Sequence, residues 1–126
     1  MMKKICNAML LSGALVASGA YADGDAARGK KVFEECAACH SLEKGVNGVG
    51  PTLNGVFDRK AGELADFRFS PAMKRSGLAW SARTLELFIA DPQAEIKGNR
   101  MPYSGIADAK DRADLIEYLK IGRAHV

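Results

Sequence analysis

Hydrophobic and polar positions along this chain follow a helical period, not a strand period. Alternation of two is poor throughout, whereas short apolar sets recur at three- and four-residue spacing between Gly and Pro. The first helix is predicted over residues 25–36. Ala26, Gly29, Val32 and Phe33 share one face, and Lys30, Lys31, Glu34 and Glu35 fall elsewhere as a solvated face. A helical glycine costs about 1 kcal/mol relative to alanine, so Gly29 on the apolar face predicts close approach of another helix. Residues 41–67 read as loop, punctuated by Gly45, Gly48, Gly50-Pro51, Gly55 and Gly62. So long an irregular stretch in a compact domain calls for another organising body.

Further along, a short helix is predicted over 70–76. Ser70 suits the N-cap, Pro71 the first helical position and Gly77 the stop. Another begins at Ser81, with Trp80 and Leu85 placed as a hydrophobic staple, and ends before Pro92. Residues 92–105 read as a second loop. A last helix starts near Asp108 and carries Leu115, Ile116, Tyr118 and Leu119. The pattern is all-α, one domain over residues 23–120.

The two ends read differently. Lys3 and Lys4 precede an uncharged apolar run and an Ala20-Tyr21-Ala22 cleavage site. Residues 1–22 are therefore expected to be a cleaved secretory signal peptide, too short for a membrane span. Cys6 leaves with it, as do two lysines, so the formal charge falls from +3 to +1. That balance gives no reason to expect a nucleic-acid partner. Back-translated, residues 121–126 match a frame of a common sequencing adaptor. This tail, His125 included, is set aside either as adaptor read-through or as an ordinary polar extension.

Residues 36–40 carry the chemistry: Cys36-Ala37-Ala38-Cys39-His40. C-x-x-C-H is the attachment signal of a c-type haem. Each thiol can form a thioether to one vinyl group, and the adjacent histidine supplies an axial ligand. Zinc would need more thiolates or imidazoles, and without the tail His40 is the sole histidine. A thioredoxin-type C-x-x-C needs a βαβ context, whereas a helix leads into Cys36. Haem attachment agrees with both facts and with export. Past the signal segment the methionines are Met73 and Met101. Met73 sits in a short predicted helix and reads as packing. Met101 lies in Gly98-Asn99-Arg100-Met101-Pro102-Tyr103, a loop shaped by Gly and Pro, and is the candidate sixth ligand.

Over residues 24–119 the chain resembles the class I cytochrome c family. The resemblance is carried by Gly29 and Phe33, by Cys36, Cys39 and His40, and by Gly50-Pro51 with Leu53. It continues through Gly55 to Arg59-Lys60 and Gly62, Gly77 and Trp80, Asp91-Pro92, Lys97 to Met101, and Leu115-Ile116 with Tyr118-Leu119. It implies short helices and long loops wrapped around one covalent haem c, held by Cys36 and Cys39. His40 would be the proximal ligand and Met101 the distal one. The Pro51 carbonyl would accept from the second His40 nitrogen, orienting the ring and raising its basicity. Arg59 and Trp80 would steady a propionate, and Asn99 belongs to the cofactor-binding segment around Met101. Gly29 and Phe33 would pack against Tyr118 where the terminal helices cross.

Departures from the family pattern carry information. Tyrosines that bond a propionate and the axial methionine in mitochondrial relatives fall here on Phe69 and Phe88, which have no hydroxyl. If one redox state held ~1 kcal/mol more of such a bond, the one-electron potential would move by ~40 mV. The lysine ring of those relatives is thinned, with Glu35, Gln93 and Ala94 at matching places. Docking to a strongly acidic partner face is not expected.

The resemblance implies a soluble, monomeric, periplasmic one-electron carrier rather than an enzyme. Its expected partners are redox proteins such as a quinol-oxidising complex, a terminal oxidase or a periplasmic dehydrogenase. The competing classes are a haem catalyst or gas binder whose sixth site opens, and a subunit held permanently in a larger oxidoreductase.

Overall fold

Each helix among the described residues begins at a side chain that replaces a missing intrahelical bond. The computed structural model describes residues 24–124 together with Gly13. The expected signal peptide and residues 125–126 lie outside the described residues. The elements are α1 (Ala26–Ala37), α2 (Pro71–Arg75), α3 (Ala82–Ala90), α4 (Pro92–Glu95) and α5 (Ala109–Ala124). Asp25 accepts from Arg28 N, Ser70 from Met73 N, Ser81 from Thr84 N and Asp91 from Ala94 N. Thr84 returns a bond to Ser81, closing a capping box. Asp108 Oδ1 accepts from Lys110 N and Asp111 N.

Four of these helices stand where the pattern places them. The fifth corrects it: residues 92–105 are not loop throughout, because α4 opens the segment. Its signals were Asp91 as N-cap and Pro92 at the first helical position. Helix α5 also runs on through Ala124, over part of the tail set aside on sequence grounds.

The terminal helices α1 and α5 cross at Gly29. A Cβ there would overlap the Asp114 carbonyl and lie 2.8 Å from Tyr118 Cβ, so only glycine lets the backbones approach this closely. Beside the crossing, the Phe33 and Tyr118 rings lie 5.4 Å apart in a tilted pair. Asp114, only 1% exposed, clasps both helices. It accepts from Asp25 N at 2.6 Å and Arg28 Nε at 3.1 Å, and Lys110 Nζ lies 3.8 Å away. The buried core then continues through Leu115, Ile116 and Leu119 of α5 to Leu85, Phe88 and Ile89 of α3. Trp80 and Leu85, the expected staple, are both buried.

Loop 41–67 is organised by its own polar side chains. Thr52 Oγ1 donates to Glu43 O at 2.7 Å, Asn54 Nδ2 donates to Leu42 O at 3.0 Å, and Asn47 Oδ1 accepts from Thr52 N at 2.8 Å. A single antiparallel bridge, Lys60 to Ala79, joins this loop to the approach of α3. With it, Trp80 N donates to Arg59 O at 2.9 Å and Asp58 N to Trp80 O at 2.7 Å. These bonds fix where Arg59 and Trp80 leave the backbone.

Candidate haem site

Helix α1 delivers Cys36 in its last turn, and the chain then reverses tightly. Cys39 N and His40 N both donate to Cys36 O, at 3.0 and 2.9 Å. The turn gathers Cys36, Cys39 and His40 on one cavity, and neither cysteine is in a disulfide. Burial, then the charges of Glu35 and Cys39, push the Cys36 thiol up to about 11. Among the described residues, no three His, Cys, Asp or Glu side chains come together to hold a metal ion.

His40 is held on two sides. Its Nδ1 donates to Pro51 O at 2.7 Å. Gly50 lies against the ring, where a Cβ would sit 2.8 Å from both ring nitrogens. With Nδ1 engaged, Nε2 is the nitrogen left to bind a metal. Burial is the main influence on the imidazole and lowers its pKa, the Pro51 bond opposes it, and the Arg59 charge adds to it. The neutral, ligating form is favoured.

The Met101 backbone is pinned in both directions. Its N–H donates to Asn99 Oδ1 at 2.8 Å, and its carbonyl accepts from Tyr103 N at 2.9 Å. Asn99, 7% exposed, donates in turn to Pro92 O and Ile96 O, both at 2.9 Å. It does not line the cavity; it ties the methionine loop to α4. Cys36, Cys39, His40, Pro51, Arg59, Trp80 and Met101 all do line it, as does Met73. Arg59 donates to Thr52 O at 2.9 Å and Asn54 O at 3.3 Å. Its remaining N–H groups are available to a carboxylate. Burial lowers the Arg59 pKa from its ordinary value. Trp80 packs edge-on against Phe88, centroids 5.1 Å apart.

The cavity has a volume of about 410 Å³, within the usual range for a bound cofactor. Phe33, Leu53, Val56, Phe67, Phe69, Leu85, Phe88, Ile89, Leu115 and Leu119 make its wall apolar. Two free thiols at C-x-x-C-H spacing, one oriented imidazole, one thioether and one guanidinium line it. That donor set fits a haem attached by both cysteines.

A cytochrome c family model matches residues 26–121. The chain belongs to the cytochrome c family. It is thus an electron-transfer protein with covalent haem c and not an enzyme, and Cys36 and Cys39 stand at the family's C-x-x-C-H spacing. Cytochrome c2 iso-2 of Magnetospirillum fulvum is 51% identical over 88 residues, covering 70% of this chain and 92% of that protein. Cytochrome c2 of Blastochloris viridis is 40% identical over 120 residues, covering 94% and 93%. The solved structure of cytochrome cH from Methylobacterium extorquens superposes with a TM-score of 0.73. It is 52% identical and covers 78% of this chain and 99% of that one.

Sequence reasoning missed the residues that shape this cytochrome's site without touching the cavity. Asn47, Thr52 and Asn54 were legible only as polar residues of a Gly-rich loop, the types that make local turns. A second contact was not foreseeable: Tyr103 Oη donates to Glu35 Oε2 at 2.8 Å, across 68 residues of sequence. Burial first, then this bond, raises the Tyr103 phenol to about 12.

Proposed function

We propose that this chain is a soluble periplasmic one-electron carrier whose haem iron is ligated by His40 Nε2 and the Met101 thioether. The observation that carries the reading is that His40, with Nδ1 committed to Pro51, and Met101, with its backbone pinned on both sides, line the same cavity. Bound haem supplies the ferric/ferrous couple. His40 contributes a neutral imidazole of fixed orientation, and Met101 a soft ligand that favours the ferrous state and raises the potential. The apolar wall excludes water and limits reorganisation between the two states. With His40 and Met101 both holding the iron, oxygen and peroxide would find no free position on it.

Export rests on the leader at residues 1–22, with the mature domain over 23–120. Among the described residues no helix is long and apolar enough to cross a membrane. Suitable partners are redox proteins such as a quinol-oxidising complex, a terminal oxidase or a periplasmic dehydrogenase. Glu35, Arg68 and Arg100 place both signs of charge on the exposed rim of the cavity, so electron transfer is expected to respond weakly to ionic strength.

Met101→Ala tests the ligand assignment. The variant should lose the weak far-red band of ferric iron bound to methionine sulfur, drop in potential and bind carbon monoxide rapidly when reduced. Met73→Ala should do none of these. An unchanged Met101→Ala spectrum would refute the assignment.

A further inference from the structure

The bonds that pin Met101 differ in what they hold it to. Asn99 and the Tyr103 amide tie the loop to itself and to α4. Those bonds survive if loop and α4 move together away from the cavity. Downstream, Ile106 N donates to Ile89 O at 2.8 Å and anchors the loop to α3. Between these anchors, among the described residues, the hydrogen bond reaching another part of the chain is Tyr103 Oη to Glu35 Oε2. Glu35 directly precedes Cys36, so this bond ties the methionine loop to the helix that carries the haem attachment.

We propose that the Tyr103–Glu35 hydrogen bond is a latch that slows release of the Met101 sulfur from the iron. The proposal rests on Met101 being the sixth ligand. Pro102, with its locked φ, separates Met101 from Tyr103 and restricts Met101 to extended backbone. A displacement at one is therefore transmitted to the other. For the sulfur to swing clear, the phenol must leave the carboxylate. Glu35 is exposed and also lines the cavity, which puts the latch at the solvent edge where an incoming ligand enters. Glu35 and Tyr103 act as positioning residues, with no contact to the iron.

The test uses ferric holoprotein and excess imidazole. The rate at saturating imidazole, read as loss of the far-red band, reports release of the sixth ligand. Tyr103→Phe and Glu35→Ala should each speed release about tenfold. The double variant should be no faster than either single one, because both remove the same bond. Glu35→Gln keeps an acceptor for the phenol and should stay within about twofold of the unmodified protein. That rescue separates a latch from general loosening of the fold. Rates unchanged in both single variants, or Glu35→Gln as fast as Glu35→Ala, would overturn the latch. Absence of the far-red band from the unmodified holoprotein is a different result: it would sink Met101 ligation, and the latch with it.

Discussion

Replacing Asn99 with alanine should loosen the methionine loop without touching the haem. The carboxamide makes three hydrogen bonds, and they are not equivalent. Pro92 O keeps a backbone donor in Ile96 N, and Ile96 O keeps one in Asn99 N. Losing the side-chain donor costs these two carbonyls about 0.5–1 kcal/mol each. Met101 N–H has no such reserve. Orphaned in a partly buried place, it costs about 1–3 kcal/mol. Together the substitution should destabilise by about 2–5 kcal/mol, or roughly 10–25 °C in Tm for a domain of this size. The assay is denaturant unfolding of the ferric holoprotein, followed at the far-red band and by circular dichroism. The far-red band should be lost at lower denaturant than the helical signal, because the loop is weakened more than the α1–α5 crossing. A loss below about 0.5 kcal/mol with both transitions unmoved would refute the assignment of Asn99 as the support of Met101.

Other expectations follow from the same structure. Gly29→Ala adds a Cβ that overlaps the Asp114 carbonyl; overpacking of about 1–3 kcal/mol should outweigh a helix-propensity gain of about 1 kcal/mol, lowering the unfolding midpoint. Gly50→Ala drives a methyl into the His40 ring and should reduce haem incorporation, measured as the haem-to-protein absorbance ratio. The Asp25 N–H holds the Asp114 carboxyl below its usual range, against burial and with help from Arg28 and Lys110. A depressed folded-state value means this group stabilises above the unfolded carboxylate pKa of about 3.9. That stabilisation is lost as pH falls through the folded value. Asp114→Asn should therefore flatten the acid limb of a stability–pH profile, and an unchanged limb would count against the clasp.

Much of this molecule was legible because its determinants are local. A cap is one side chain three residues from the amide it serves, so Ser70, Ser81 and Asp108 marked helix starts without tertiary information. C-x-x-C-H is likewise local: the turn after Cys36 closes within four residues and sets thiols and imidazole together. Gly29 on an apolar helix face announced the close approach of another helix; that the other helix is α5 came from the family resemblance, and the contact with Asp114 and Tyr118 agrees. The short helix α4 was missed although Asp91 and Pro92 announce it; four residues are too few to show a period.

What the chain alone could not decide is which distant groups meet. Met73 and Met101 both line the cavity; loop context pointed to Met101, but its tie through Asn99 to α4 is visible only in the folded chain. Asn99 reads as a cofactor residue by its position in the motif, yet its amide faces carbonyls of the preceding helix and works through the backbone. Nothing in the sequence pairs Tyr103 with Glu35; the fold brings the methionine loop to the end of α1 and sets them 2.8 Å apart. Sequence determines covalent spacing, caps and periodicity because these act over a few bonds of chain. Contacts across 68 residues depend on how helices pack around the cavity, and only the tertiary structure decides that.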